Sequence, residues 1–240
     1  MRHLIKQVIL LCGCLGSGMS LATDIYLTEI EGLHQKDNKG AYDLLLNEAL
    51  KGIKGPVNIK LLDPGSSTVN FTSCENCCIS PANNNANFYN WSGKIEELAA
   101  FNYAKVYAFS KQGSELITSL EQLKGKKVGG RTGMPYGNKV EGAGLNLIGA
   151  DTIEENIRKT ESGELDAFVA FVPDAYMAYK AAGVTNIPYS KKSALSIHID
   201  RMICRNAPRV FIDKYNANMK TMRDRGFIRR KLGDQFVKPF

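Results

Sequence analysis

The sequence predicts an α/β fold built as two successive α/β blocks. Three observations carry this. Near the start, a β-rich run, an amphipathic helix and a second β-rich run follow in close order, which is the pattern of a βαβ unit with a parallel sheet and a right-handed crossover. Between about residues 115 and 190 the same alternation of apolar runs and helical patterns returns. The 240 residues are 44% hydrophobic and 23% charged, with no low-complexity tract, so the chain can bury a sizeable core.

Asp24-Ile25-Tyr26-Leu27-Thr28 alternates and is rich in β-formers, so it reads as the first strand. A polar loop holding Glu29, Glu31 and His34 follows. Gly40-Ala41-Tyr42-Asp43 opens a helix whose Leu46, Ala49, Leu50 and Ile53 recur at helical spacing, and Gly55-Pro56 stops it. Val57-Asn58-Ile59-Lys60-Leu61 is the second strand. Residues 63–76 read as a loop and short helix, and Cys77-Cys78-Ile79-Ser80-Pro81 as a third strand ending at Pro81. Residues 82–92 are polar and irregular, and carry Phe88, Tyr89 and the single tryptophan, Trp91. A loop beyond the C-terminal end of a parallel strand is where open α/β sheets bind ligands. Its aromatic residues either face such a ligand or pack against the base of the loop.

Lys105-Val106-Tyr107-Ala108-Phe109 is a further strand, and Leu116, Ile117, Leu120 and Leu123 read as a short helix ending at Gly125. In residues 126–137, an apolar Val128-Gly129-Gly130 leads into Arg131-Thr132-Gly133, a Met-Pro pair and an amphipathic run. This reads as strand, tight loop and helix. Such a junction turns free backbone N–H groups and the positive end of a helix toward an anionic or carbonyl-bearing ligand. Gly133 lets a ligand approach the backbone, while Arg131 and Thr132 add a charge and a hydroxyl. The same pattern also fits an ordinary strand-to-helix turn.

Thr152-Ile153-Glu154-Glu155 has capping-box spacing, with Gly163 as the stop. Residues 165–172 form a buried strand, and Asp174 N-caps a helix over 175–182. Ser196-Ile197-His198-Ile199 and Met202-Ile203-Cys204 read as one interrupted strand. The last long helix starts at about Pro208, with Phe211, Tyr215, Met219 and Met222 on one face, and a short helix over 228–236 ends the chain.

Arg2, His3 and Lys6, then the apolar 8–15 run and Ser20-Leu21-Ala22, have the form of a signal peptide cleaved after Ala22. Leu11-Cys12-Gly13-Cys14 offers a second reading, with a lipid on Cys14. The apolar run is far shorter than the roughly 20 residues of a membrane span. A chain starting at Thr23 carries +5, from 29 basic and 24 acidic residues, against +7 for the whole. The excess is spread out, its densest part running from Arg223 to Lys231, and no motif points to nucleic acid. Export places the remaining Cys74, Cys77, Cys78 and Cys204 in an oxidising compartment, compatible with one or two disulfides. Cys74-x-x-Cys77-Cys78 also resembles half a zinc site, but a second Cys/His pair is missing, so no metal and no cofactor is expected.

Four stretches together resemble small type II bacterial periplasmic solute-binding proteins, the family of polar-amino-acid receptors of ABC transporters. Residues 120–129 resemble the family's "L-x-x-L-x-G-K-x-V-G" entry into the second lobe, and Gly133-Met134-Pro135-Tyr136-Gly137 its ligand-facing "G-x-x-Y-G". Gly163-Glu164-Leu165-Asp166-Ala167 is similar to its "G-x-x-D-A" strand, and residues 211–230, with Asn216, Met219 and Gly226, to its terminal helix. The resemblance spans about residues 25–236. It implies the two-lobed type II fold with two hinge strands: residues 23–107 and 192–240 in lobe one, 108–191 in lobe two. The ligand lies between lobes that close by hinge motion. It also implies that the returning strand at Cys204 pairs beside the third strand, with a disulfide from Cys77 or Cys78 to Cys204.

Two departures bear on the ligand. The family's carboxylate-binding Arg after the third strand is absent from residues 82–103, and its amine-pairing Asp is replaced by Phe171. The resemblance therefore implies capture of a small polar solute, without naming an amino acid, by a monomer that delivers it to an inner-membrane permease. On this reading Arg131 pairs with an anionic group, Thr132, Gly133 and Tyr136 face the ligand, and Glu29 or Glu31 accepts hydrogen bonds. Tyr42, Trp91 and Phe171 wall the cleft, and Ser80 lies beside it. One alternative is a sensory protein that presents the ligand to a membrane receptor. Another is a hydrolase or dehydratase on the same architecture, for which Ser80 with His34 or His198 are the candidate groups.

Overall fold

The structure, a computed structural model, describes residues 22–233. The signal peptide (except Ala22), the lipid site at Cys14 and the end of the final helix lie outside the described residues. The first block is β1 (Thr23–Thr28), α1 (Ala41–Ala49), β2 (Val57–Leu62), α2 (Pro64–Ser73) and β3 (Cys77–Ala82). β1 runs parallel to both β2 and β3, which gives two βαβ units. α1 ends at Ala49, short of Ile53 and of the Gly55-Pro56 pair expected to stop it, and the Asp63 side chain accepts from Ser66 N at the start of α2.

Then come β4 (Glu96–Glu97), β5 (Asn102–Ser110), β6 (Val128–Arg131), α3 (Asn138–Glu141) and β7 (Leu147–Ala150). They are followed by α4 (Ile153–Ser162), β8 (Ala167–Val172), α5 (Asp174–Ala181), β9 (Ser196–Arg205), α6 (Arg209–Asp224) and α7 (Phe227–Leu232). The strand order is β2-β1-β3-β9-β5-β8-β6-β7, with β4 beside β9.

Two long antiparallel strands connect the halves. β9 pairs with β5 over Ser196 to Asp200, then with β3 and β4 over its C-terminal half. β5 pairs with β8 from Lys105 to Ser110. The buried residues divide accordingly. Two clusters draw only on residues before 102 or after 201, and two only on residues 104–195. This is the two-lobed arrangement with two hinge strands. Met134 and Met177 reach across and pack against the core built on α1 and α6.

Several sequence expectations need correction. The interrupted strand is continuous, because at Asp200 and Arg201 the ladder changes partner from β5 to β3 without a break. The helix expected over 116–123 is only a 3₁₀ turn, Glu121–Leu123. Gln122 Oε1 accepts from Thr118 N and Ser119 N, so a side chain takes the donors a preceding helical turn would use. β3 runs through Pro81, and β7, a four-residue edge strand containing Gly149, went unrecognised. At α4 and α6 the local signals are met. Thr152 Oγ1 accepts from Glu155 N, Gly163 stops α4 at φ 82°, and the Phe211, Tyr215, Met219, Met222 face of α6 is buried.

Cys78 and Cys204 face each other on β3 and β9, 4.0 Å apart at Cα, and form a disulfide. Cys77 points to the opposite face of the strand, among Phe71, Ile79 and Ile203, and bonds to Cys74. Alternation along β3 thus selects Cys78 as the partner of Cys204. All four cysteines expected in the exported chain are paired with one another, which removes the half zinc site.

Candidate functional site

A narrow cavity, part of it open to solvent, lies where the two lobes face each other. One lobe contributes Ile30, Pro64, Ile79 and Tyr89, the other Met134, Phe171 and Asp174, and hinge strand β9 contributes His198 and Asp200. Parallel strands end here, and α2 and α5 begin here, which is the place topology reserves for ligands in such sheets.

The polar floor is built from β9. His198 and Asp200 are two residues apart and therefore share a face. His198 Nδ1 lies 2.7 Å from Asp200 Oδ1, and Tyr42 OH donates to Asp200 Oδ2. Asn102 Nδ2 donates to Tyr42 OH over 3.2 Å. An ionised carboxylate only accepts, so Nδ1 carries the proton. His198 Nε2 is buried without a hydrogen-bond partner among the described residues. Burial, reinforced by the Asp200 charge, pushes the Tyr42 phenol well up, so it stays neutral.

Asp174 adds a second carboxylate. It was expected to cap α5, but Pro173 occupies the cap and Asp174 is the first helical residue. It is 5% exposed. Burial, and then the charge of Asp200, lift its carboxyl from 3.8 to about 7, partly offset by Arg131. Rings surround the imidazole: Phe88 at 4.9 Å, Tyr89 and Phe171 each at 5.7 Å from the His198 ring centre.

The residues singled out from sequence take varied places. Phe171 lines the cavity. Tyr136 stands behind it, 5.8 Å from its ring, and its hydroxyl accepts from Arg131 N. Trp91 backs Tyr89 in a 4.6 Å stack and donates from Nε1 to Asn83 O. Tyr42 is in the lobe-one core and reaches the site only through Asp200. Glu29 is paired at 3.5 Å with Lys36, and Glu31 is exposed.

Arg131 closes the rim: Nη1 donates to Glu29 O over 2.5 Å and Nε to Asp151 O over 3.1 Å. Thr132 N donates to Ala150 O, while Tyr136 N and Gly137 N both donate to the Glu141 carboxylate. The Thr132, Tyr136 and Gly137 amides are therefore held by the protein's own acceptors, and the helix behind them, α3, has only four residues. Gly133, at φ 74°, packs against the start of α2, where an added Cβ would lie 2.7 Å from Gly65 N. Its role here is close approach of the lobes. The asparagine-rich 82–92 loop crosses to the other lobe as well, and Asn138 N donates to Asn87 O over 2.7 Å.

Ser80, His34 and Asp43 meet in lobe one. His34 Nδ1 lies 2.8 Å from Asp43 Oδ1 and Nε2 lies 3.3 Å from Ser80 Oγ. The other Asp43 oxygen accepts from Gln35 N and Gly40 N at the start of α1. Ser80 is 3% exposed and does not line the cavity. The trio ties β3, the 29–39 loop and α1 together. Sequence reading missed Asp174 and Asp200 as cavity residues, named His198 only for the hydrolase alternative, and left Tyr89 open between facing a ligand and packing on its loop. A usable signal was Asp174 at the junction of strand and helix, three residues beyond the position where the resemblance expects an acidic residue.

No protein-family profile matches the chain, and no curated protein sequence matches it either. Solved structures do. The GluR0 ligand-binding core in complex with L-glutamate superposes with a TM-score of 0.72 at 10% identity, over 92% of this chain and 100% of that one. A mutant of ArgBP from T. maritima gives 0.69 at 13%, over 88% and 93%. A histidine kinase sensor domain with similarity to periplasmic binding proteins gives 0.69 at 15%, over 91% and 98%. These similarities span nearly the whole described chain and agree with its topology: the chain has the two-lobed type II periplasmic-binding-protein fold.

Proposed function

We propose that the chain captures a small polar solute between its lobes and delivers it to a membrane-bound partner. The observation that carries this reading is the cavity itself. Its walls come from both lobes and from a hinge strand, and the lobes touch around it through Arg131, Gly133 and Asn138. A solute held there contacts both lobes and so favours their closed arrangement. The core clusters support a division into two lobes, with Ala104, Val106, Tyr107 and Leu195 grouped with the second lobe rather than with the first, where the bounds 23–107 and 192–240 would put them. No helix among the described residues is long and apolar enough to cross a membrane. Together with the leader read from residues 1–22, this supports a periplasmic protein.

Fold neighbours include a substrate-binding protein of an amino acid ABC transporter and the histidine kinase sensor domain, so both an ABC permease and a sensor receptor fit as partner. A permease and ATPase encoded beside the gene support transport; a histidine kinase there supports sensing. The hydrolase reading finds a Ser–His–Asp contact in its favour. Burial of Ser80 outside the cavity weighs against it, because a nucleophile must reach its substrate.

The test is a thermal-shift screen of the purified chain against polar metabolites. A ligand at about 100 times its Kd stabilises by about 2.7 kcal/mol, or about 5–10 °C in Tm for a chain of this size. Absence of stabilisation by any polar solute overturns the reading, as does turnover of the best ligand.

A further inference from the structure

The charge pattern of the cavity is opposite to the one an acidic ligand needs. Asp174 and Asp200 line it, and no Lys or Arg is among the lining residues. Arg131, the nearest guanidinium acting on Asp174, donates instead to the carbonyls of Asp151 and Glu29. The loop amides of Tyr136 and Gly137 already hold a carboxylate, that of Glu141. A ligand carboxylate would add negative charge beside Asp174 and Asp200, with no Lys or Arg among the lining residues to meet it.

A cation meets matching groups. Two carboxylates line the cavity, and Phe171 and Tyr89, which also line it, are rings of the kind that attract positive charge. His198 supplies an independent mark of a missing ligand. Its Nδ1–H is fixed on Asp200, so in the neutral ring Nε2 offers a buried lone pair with no protein donor. That lone pair asks for an N–H from the ligand. A primary or secondary ammonium has one and a quaternary ammonium does not.

We propose that the solute is a small alkylammonium ion without an acidic group, held between Asp174 and the His198–Asp200 pair. This rests on the solute-binding reading and specifies its substrate class. Burial and Asp200 raise the Asp174 carboxyl to about 7, while Arg131 opposes that rise. Bound cation favours the ionised carboxylate, so the site takes up its ligand with release of a proton and binds more tightly as pH rises through about 7. The groups facing Asp174 in that equilibrium are Asp200, His198 and Arg131.

The test uses calorimetry and thermal shift on the purified chain with four probes of equal carbon length: 1-aminobutane, butyrate, 1-butanol and zwitterionic 2-aminobutyrate. The amine is expected to bind about tenfold or more tightly than the zwitterion, with butyrate inert. Its affinity should rise from about pH 6 to about pH 8 and fall about tenfold or more in Asp174→Asn. Equal or tighter binding of the zwitterion or of butyrate overturns the proposal but leaves solute binding standing. So does an amine affinity that ignores pH and the Asp174→Asn change. If neither these probes nor the wider metabolite screen stabilises the chain, both readings fall.

Discussion

Replacing Asp174 with Asn separates the site's binding role from its cost in stability. In the ligand-free protein the Asp174 carboxyl is raised from 3.8 to about 7 by burial and by Asp200. Its folded value thus lies above its unfolded value. Between those values the folded chain holds a proton that the unfolded chain has released, so stability falls as pH rises through this window. A shift of about 3 units at about 1.4 kcal/mol each makes ionised Asp174 cost up to about 4 kcal/mol above pH 7, and nothing below about pH 4. Asn keeps the shape and removes the charge. Asp174→Asn is therefore expected to raise the ligand-free Tm by up to about 16 °C near pH 8, and to leave it unchanged near pH 4. Differential scanning calorimetry at both pH values, with no added solute, measures this. A variant that is less stable near pH 8, or shifted equally at both, would refute the argument that Asp174 is an uncompensated buried charge.

Other consequences follow from the same contacts. Cys78→Ser with Cys204→Ser opens a loop spanning 126 positions and is expected to cost about 4 kcal/mol, seen as a lower denaturant midpoint under oxidising conditions; an unchanged midpoint would contradict a formed Cys78–Cys204 bond. Gly133→Ala places a Cβ 2.7 Å from Gly65 N at φ 74°, so the lobes are held apart. Solute affinity should drop several-fold and small-angle scattering should show a larger radius of gyration, with no change in either arguing against Gly133 as a closure contact. Tyr42→Phe removes the hydroxyl that donates to Asp200 and leaves the Asn102 amide without that acceptor. It is expected to cost about 1–3 kcal/mol in chemical denaturation; a neutral result would show that the hydroxyl is not part of the Asp200 network.

The secondary structure was legible where short-range patterns govern it. Alternation marked β1, a continuous apolar run marked β8, and helical spacing marked α1 and the buried face of α6. Thr152 and Gly163 bounded α4 because capping is a contact within a few residues. The same reading failed at 116–123, where Leu spacing suggested a helix but Gln122 took the backbone donors. It split β9 at Asp200 and Arg201, although both continue a ladder whose partner strand changes. A polar pair inside a strand looks like a break unless the sheet on either side is known.

The site was legible in outline and misplaced in detail. Phe171 lines the cavity between the lobes, and Trp91 and Tyr136 lie one layer behind its lining rings. Arg131 carried the expected role of anion partner, but its guanidinium bonds to Glu29 O, 102 residues away along the chain. Asp200 seemed unremarkable because its partner, Tyr42, lies 158 residues away. By itself the sequence determined the α/β class, the order of the blocks and the cysteines available for pairing, since each depends on periodicity or on residue type. Only the tertiary structure decided which cysteine meets Cys204, which amides stay free and what charge lines the cleft. Those outcomes depend on the register of β9 between two lobes, and on groups far apart in the chain sharing one low-dielectric space, where each buried charge is felt by the others.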